Sequence, residues 1–129
     1  MRQSRKNGGG VFDYVRNNIN CHLRPDLHVG NVECIWLELR FKTKKYLYET
    51  FHIPPNSNAQ VWEDIEQSID LALTCTIDII VTGDFNVNML RNTFKDKISN
   101  LKIQFSLHQL ISNPTYVTEH SSSFGILFL

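Results

Sequence analysis

The sequence predicts an α/β fold of the α+β kind, in which an antiparallel hairpin is joined to units that alternate helix and strand. Three observations carry the prediction. Val32–Leu39 and Lys45–Phe51 both alternate apolar and polar residues, the period of a half-buried strand. Val61, Trp62, Ile65, Ile69, Ala72 and Leu73 recur at helical spacing. Ile77-Asp-Ile-Ile-Val81 is almost uninterrupted β-branched residues, as in a strand buried on both faces.

A chain of 129 residues with 42% hydrophobic content has the size and composition of one domain with its own core. Thirteen basic residues balance thirteen acidic ones, so net charge gives no argument for a nucleic-acid partner. The basic cluster Met1-Arg-Gln-Ser-Arg-Lys6 is short, and residues 1–7 are expected to form a flexible N-terminus. Three cysteines, Cys21, Cys34 and Cys75, cannot all pair within one chain, which fits a reducing compartment. Cys21, His22, His28 and Cys34 match no common zinc spacing. No run of about 18 apolar residues offers a membrane span, and the polar, Gly-rich start is not a signal peptide. An intracellular, soluble protein is the expectation.

Taken in order, Val11–Arg16 is expected as a strand with Phe12 and Tyr14 on one face and Val11, Asp13 and Val15 on the other. Residues 17–30 carry turn chemistry, with room for an extended piece around Cys21–Leu23. The two alternating runs are expected to pair as a hairpin across a Lys42-Thr-Lys-Lys45 turn. Pro54-Pro55 ends the second strand, because proline cannot donate to the ladder. Ser57-Asn-Ala-Gln60 has the spacing of a capping box and predicts the start of the first helix. Glu63, Asp64, Glu66, Gln67 and Asp70 form its expected solvated face. A second helix is expected over residues 93–105, with Phe94, Ile98, Leu101 and Phe105 on one stripe and His108 in the packing that follows it. Beyond Asn113-Pro114 the chain should be extended, and Phe124-Gly-Ile-Leu-Phe-Leu129 reads as a core strand that looks cut rather than finished.

The candidate site is Thr-Gly-Asp-Phe-Asn-Val-Asn, residues 82–88. If the strand geometry continues, period-two alternation puts Asp84 and Asn86 on one side and Phe85 on the other. A carboxylate and an amide so placed suit phosphoryl chemistry, one orienting or deprotonating water, the other holding a phosphate oxygen. Gly-Asp-x-Asn after a strand is equally ordinary turn chemistry, and these residues alone leave both readings open.

Gly8-Gly-Gly-Val11, Tyr14-Val-Arg-Asn17, Glu33-Cys-Ile-Trp-Leu-Glu38, Pro54-Pro-Asn-Ser-Asn58, Asp78-Ile-Ile-Val-Thr-Gly-Asp-Phe-Asn86, Leu107-His-Gln-Leu110 and Asn113-Pro-Thr115 follow one another in a telling order. In order and spacing the set resembles the endonuclease domain of non-LTR (LINE-like) retrotransposons. That domain is a branch of the endonuclease/exonuclease/phosphatase superfamily, with DNase I and the apurinic endonucleases. The resemblance covers residues 8–129 and implies an incomplete two-sheet αββα sandwich of the DNase I-like type. It also implies DNA as partner, hydrolysis of a DNA phosphodiester with Mg²⁺ or Mn²⁺, and a nuclear location for a working protein. On it, Asp84 would position or activate water and serve as a partial metal ligand, Asn86 would contact the scissile phosphate, and Thr115 would lie nearby.

Other positions depart from the family pattern. The strand carrying the metal-binding glutamate would precede the Gly-Gly-Gly stretch, and the closing Asp-His pair would fall beyond residue 129. His52 and Ile53 stand where the family writes Tyr-Arg before Pro-Pro, so His52 is a weaker phosphate-contact candidate. Ile126 falls where the family has an aspartate. Three readings follow: a metal-dependent endonuclease domain, a truncated relic that binds nucleic acid or metal weakly, and a phosphatase-type member of the superfamily. Uncovered strands would also favour self-association.

Overall fold

In the computed structural model, residues 11–54, 57–84, 92–110, 116–117, 122–123 and 125–128 are described, with backbone alone at 84, 92–96 and from 116 onward. Strands β1 (Asn20–Leu23), β2 (Glu33–Phe41) and β3 (Lys44–His52) precede helix α1 (Ala59–Leu73). Strand β4 (Ile79–Asp84), helix α2 (Asn92–Phe105) and strands β5 (Tyr116–Val117), β6 (Ser122–Ser123) and β7 (Gly125–Phe128) follow. Five strands form one sheet in the order β1-β2-β3-β4-β7, and β5 pairs with β6 in a separate ladder. All contacts in the large sheet are antiparallel except β3 with β4. A parallel pair needs a crossover, and α1 supplies it.

Alternation along β2, β3 and β4 divides the sheet into two faces. On one face Cys34 and Trp36 of β2, Leu47 and Phe51 of β3, and Ile79 and Val81 of β4 meet Trp62, Ile65, Ile69 and Ala72 of α1 and Ile98 and Leu101 of α2. This is the main core. Phe51, Leu47, Ile65 and Ile69 are essentially inaccessible, and truncating such residues to alanine costs about 2–5 kcal/mol each. The opposite face carries Ile35 and Leu37 with Val11, flanked by Val15, Cys21, Leu39 and Tyr48. The sheet with helices on one face is half of an αββα sandwich, matching the incomplete sandwich expected.

Several local expectations change. Val11–Arg16 alternates as predicted, with Val11 buried and Phe12 and Tyr14 exposed, but it makes only an isolated bridge at Phe12 rather than a strand. The α1 cap is Asn58, whose side chain accepts from Gln60 N at 3.1 Å, while Ser57 Oγ donates to the Pro54 carbonyl at 2.7 Å. The Gln60 amide donates forward to Asp64 at 3.0 Å instead of reaching back, so no capping box forms. Asp64 leaves the solvated face; it is buried against Gly30, whose φ of +68° lets the chain turn where a Cβ would overlap the carboxylate. Strand β4 begins at Ile79, leaving Ile77 86% exposed, and Leu107 rather than the exposed His108 packs after α2. Residues 1–7 lie outside the described residues.

Among the buried acids of the described residues, Glu38, Glu49 and Asp64, Glu49 is wholly inaccessible. Glu49 is fully buried, opposite Trp36 in the β2–β3 register, and Ser68 of α1 lies 3.3 Å from its Oε1. The Ser68 hydroxyl has one proton and sits closer, 2.8 Å, to the Ile65 carbonyl, which can only accept. With that proton committed, the Glu49 contact is satisfied when the carboxyl is protonated and donates to Ser68 Oγ. Desolvation acts in the same direction, raising the Glu49 pKa well above 4.5. Burial pushes the neighbouring Cys34 thiol up to about 12, and the Glu49 carboxylate, where ionised, adds to the rise. Because the folded pKa is raised, this stability is full below the ordinary glutamate range and is lost as pH rises through the folded value. Unfolding free energies from urea titrations at pH 5 to 8 should fall for the wild type, by at most about 1.4 kcal/mol per pH unit for one proton. Glu49→Gln should flatten that slope and be the more stable protein at pH 8; an unchanged slope refutes the assignment.

Candidate functional site

Asp84, His52 and Glu33 are held in one row by the sheet register. Glu33 opens β2 and pairs with His52, the last residue of β3. His52 pairs in turn with Asp84, the last residue of β4. On the far side, Asp84 pairs with Gly125 and Gly83 with Ile126 of β7. Ile126 therefore stands one register step from Asp84, close to where the resemblance placed an aspartate.

Within this row His52 Nδ1 lies 3.0 Å from Glu33 Oε2, with the side chains 29% and 38% exposed. One register pair further along the same face, Thr50 faces Thr82. The Thr50 hydroxyl donates to the Asp13 carboxylate, with its oxygens 2.9 and 3.1 Å away. Burial raises the Asp13 pKa, and the Thr50 hydrogen bond opposes the rise. Burial likewise raises that of Tyr48, against hydrogen bonds with Thr50 and Thr82. Tyr48 and Asp13 also line a cavity of about 230 Å³ with Tyr14, Val15, Arg16 and Ile19. A polar strip thus runs from Tyr48 to the sheet end at Glu33 and His52.

The glycine before Asp84 is set by packing. Gly83 pairs with Phe51 across the parallel ladder, and a Cβ there would overlap the Phe51 carbonyl oxygen. Only a residue without a side chain brings β4 close enough to β3 to end the two strands side by side.

The structure therefore brings together two of the four residues predicted from sequence, Asp84 and His52, as register neighbours. Asn86 and Thr115 lie outside the described residues. Where the resemblance placed a tyrosine, His52 has a carboxylate partner, Glu33, which sequence reasoning missed. A four-residue Lys42–Lys45 turn would pair Phe41 with Tyr46 and Glu33 with Pro54. The real loop is two residues, Lys42 and Thr43, with Phe41 paired to Lys44 and Lys42 at φ 54°. Counting from that shorter loop would have found the pair.

Other candidates separate. Cys21 packs on the open face and Cys34 in the main core, so the sheet divides them. His28 Nε2 donates to the Val32 carbonyl at 2.8 Å. Arg24 donates to Asp26 and to Glu38, and Arg40 closes on Glu38 at 2.8 Å, a network that fixes β1 to β2. Among the described residues no group of three or more His, Cys, Asp or Glu side chains converges as a metal site. A hard divalent cation takes about six oxygen ligands, and the carboxylate beside Asp84's register row, Glu33, is occupied by His52. The described residues do not fit a Mg²⁺ or Mn²⁺ shell.

The helix-crossed sheet has a fold shared with two solved catalytic domains. The structure is similar to the endonuclease domain of TRAS1, a telomere-specific non-LTR retrotransposon, with a TM-score of 0.70 at 17% identity over 86% of this chain and 54% of that one. It is also similar to the human Nocturnin catalytic domain, solved with bound sulfate anion, with a TM-score of 0.59 at 15% identity over 86% of this chain and 47% of that one. The chain thus spans about half the length of these solved domains. No protein-family profile and no curated protein sequence matches it significantly. Among the described residues no helix is long and apolar enough to cross a membrane.

Gly83→Ala should destabilise the domain by roughly 1–3 kcal/mol, the range for forced backbone and side-chain shifts, in urea unfolding followed by circular dichroism. A loss below about 0.5 kcal/mol, ordinary for a tolerated surface change, would show that β3 and β4 are not this close.

Proposed function

We propose that this chain carries the phosphodiester-handling edge of a DNA endonuclease domain of the non-LTR retroelement type, with little or no turnover by itself. The observation that carries the reading is the β3–β4 register, which sets His52 beside the aspartate of Gly-Asp-Phe-Asn at the ends of two parallel strands. Ligands of α/β sheets gather at such carboxyl ends. The fold shared with a retrotransposon endonuclease supports DNA as substrate class. In this reading Asp84 orients water, Asn86 and Thr115 contact the phosphate, and His52 adds a contact that the family's tyrosine would otherwise make.

Low turnover follows from the ligand count. Phosphodiester cleavage leaves negative charge on the phosphoryl and leaving oxygens, which Mg²⁺ or Mn²⁺ neutralises when bound, and the described residues do not complete a shell for either. Catalytic groups act as a set, so an incomplete set forfeits most of the advantage over water. Weak DNA binding without cleavage is the second reading, favoured by that same count. A phosphatase-type activity on small phosphate esters is less well supported, because the ordered sequence set matches the retroelement branch.

Nicking of supercoiled plasmid in Mg²⁺ or Mn²⁺ separates these readings. Slow nicking that disappears in Asp84→Ala establishes the endonuclease. Equal background in both proteins, with retarded plasmid mobility, leaves DNA binding alone; no nicking and no retardation overturns the proposal.

A further inference from the structure

We infer that the tip of the β2–β3 hairpin, from Arg40 to Tyr46, is a binding surface for single-stranded nucleic acid, on which lysines hold the phosphates and Phe41 stacks on an unpaired base. The inference goes beyond the proposed function and does not depend on it, because the tip lies at the other end of the sheet from Asp84 and His52. Glu33 pairs with His52 at one end of the hairpin and Phe41 with Lys44 at the other. Eight residue steps of about 3.4 Å put roughly 27 Å between the two pairs.

Three observations carry it. The first is charge. The chain as a whole is neutral, yet Arg40, Lys42, Lys44 and Lys45 stand within six consecutive residues. Strand alternation sends Arg40 and Lys45 to the helix side and Lys44 to the open side, so the cations surround the tip. The carboxylates nearby are already engaged: Glu38 is shared by Arg40 and Arg24, and Asp78 lies 3.5 Å from Lys44. Lys42 is exposed and makes no ion pair among the described residues.

The second is an aromatic platform among those cations. Phe41 and Tyr46 stand on the open side with ring centroids 5.9 Å apart, edge to face, and Lys44 Nζ sits 5.2 Å from the centre of the Tyr46 ring. Tyr46 is half-buried and anchors the cluster, whereas Phe41 is left 44% exposed. A ring held by its neighbour and flanked by ammonium groups offers a π-face to any base, with the phosphates on either side within reach of the lysines. In a duplex the bases already stack on one another, so such a ring favours an unpaired strand.

The third is the backbone at the apex. Lys42 opens the two-residue loop at a φ of 54°. Hairpin loops of this length ordinarily give that conformation to glycine or asparagine. A long cationic side chain at an unfavourable backbone position is local strain that packing does not explain, and such strain accompanies function.

The test uses the full chain with labelled oligo-dT and oligo-rU as the single strands and a duplex of the same length, followed by fluorescence anisotropy over a range of salt. Both single strands should bind more tightly than the duplex, and a preference between them names the kind of strand the surface takes. Phe41→Ala should weaken single-strand binding about fivefold or more, the loss of one stacked base. Lys42→Gln should reduce the slope of log affinity against log salt by about 0.7, one phosphate contact on a single strand. Lys42→Gly should reduce it equally while raising the urea midpoint, because glycine relieves the positive φ; a lysine with a merely structural role would not move binding and stability in opposite directions. Single-strand binding untouched by Phe41→Ala and Lys42→Gln but abolished by Asp84→Ala puts the strand at the other sheet end and overturns the inference. Duplex bound as tightly as single strands overturns it as well, as does binding of phosphatidylserine vesicles with neither oligomer bound, or no binding at all.

Discussion

The close parallel approach of β3 and β4 is the constraint on which the rest of the structure depends. Phe51 and Gly83 face each other so tightly that the glycine cannot be given a Cβ. Because the two strands run the same way, the chain must leave β3 at its end, cross over through α1 and re-enter the sheet at Ile79. The crossover fixes which face α1 covers, and so where Trp62, Ile65, Ile69 and Ala72 meet the strands. It also aligns the two strand ends, which sets His52 beside Asp84. Packing and site geometry come from one contact.

That arrangement has a cost on the covered face. Alternation that sends His52, Thr50 and Tyr48 to the open side sends Phe51, Glu49 and Leu47 under α1. A shift of one residue would bury the histidine and expose the phenylalanine. The register is therefore fixed by the apolar members, and Glu49 is carried into the core with them. Burial there raises the pKa of its carboxyl, which lies against Ser68, whose own proton is engaged with the helix backbone. The site's orientation and the buried acid are two consequences of the same strand phase.

Much of this was legible in the sequence because it depends on short-range pattern. The 3.6-residue stripe of α1 and the β-branched content of β4 each name one element, and the ordered motifs pointed to the fold that the structural similarity bears out. What escaped depended on where a pattern starts. Moving the hairpin loop by two residues hid the Glu33–His52 pair, and a one-residue shift moved the helix cap from Ser57 to Asn58. Asp64 was read as solvated from helical phase alone, whereas its burial is decided by Gly30, a residue distant in sequence. Composition along one segment cannot report such a neighbour. Of the predicted site, Asp84 and His52 are placed by register, and the positions of Asn86 and Thr115 fall outside the described residues.

The same pairing bears on what chemistry the sheet end can support. A carboxylate hydrogen-bonded to an imidazole has one of its oxygens engaged. Glu33 thereby supports the His52 ring. In the family pattern, neutralisation of the phosphate would be assigned to a divalent ion held by several carboxylates; among the described residues no such group converges. What the sheet end presents among the described residues is a paired carboxylate and imidazole rather than a cluster of carboxylates, and that follows from the register that sets Glu33 against His52.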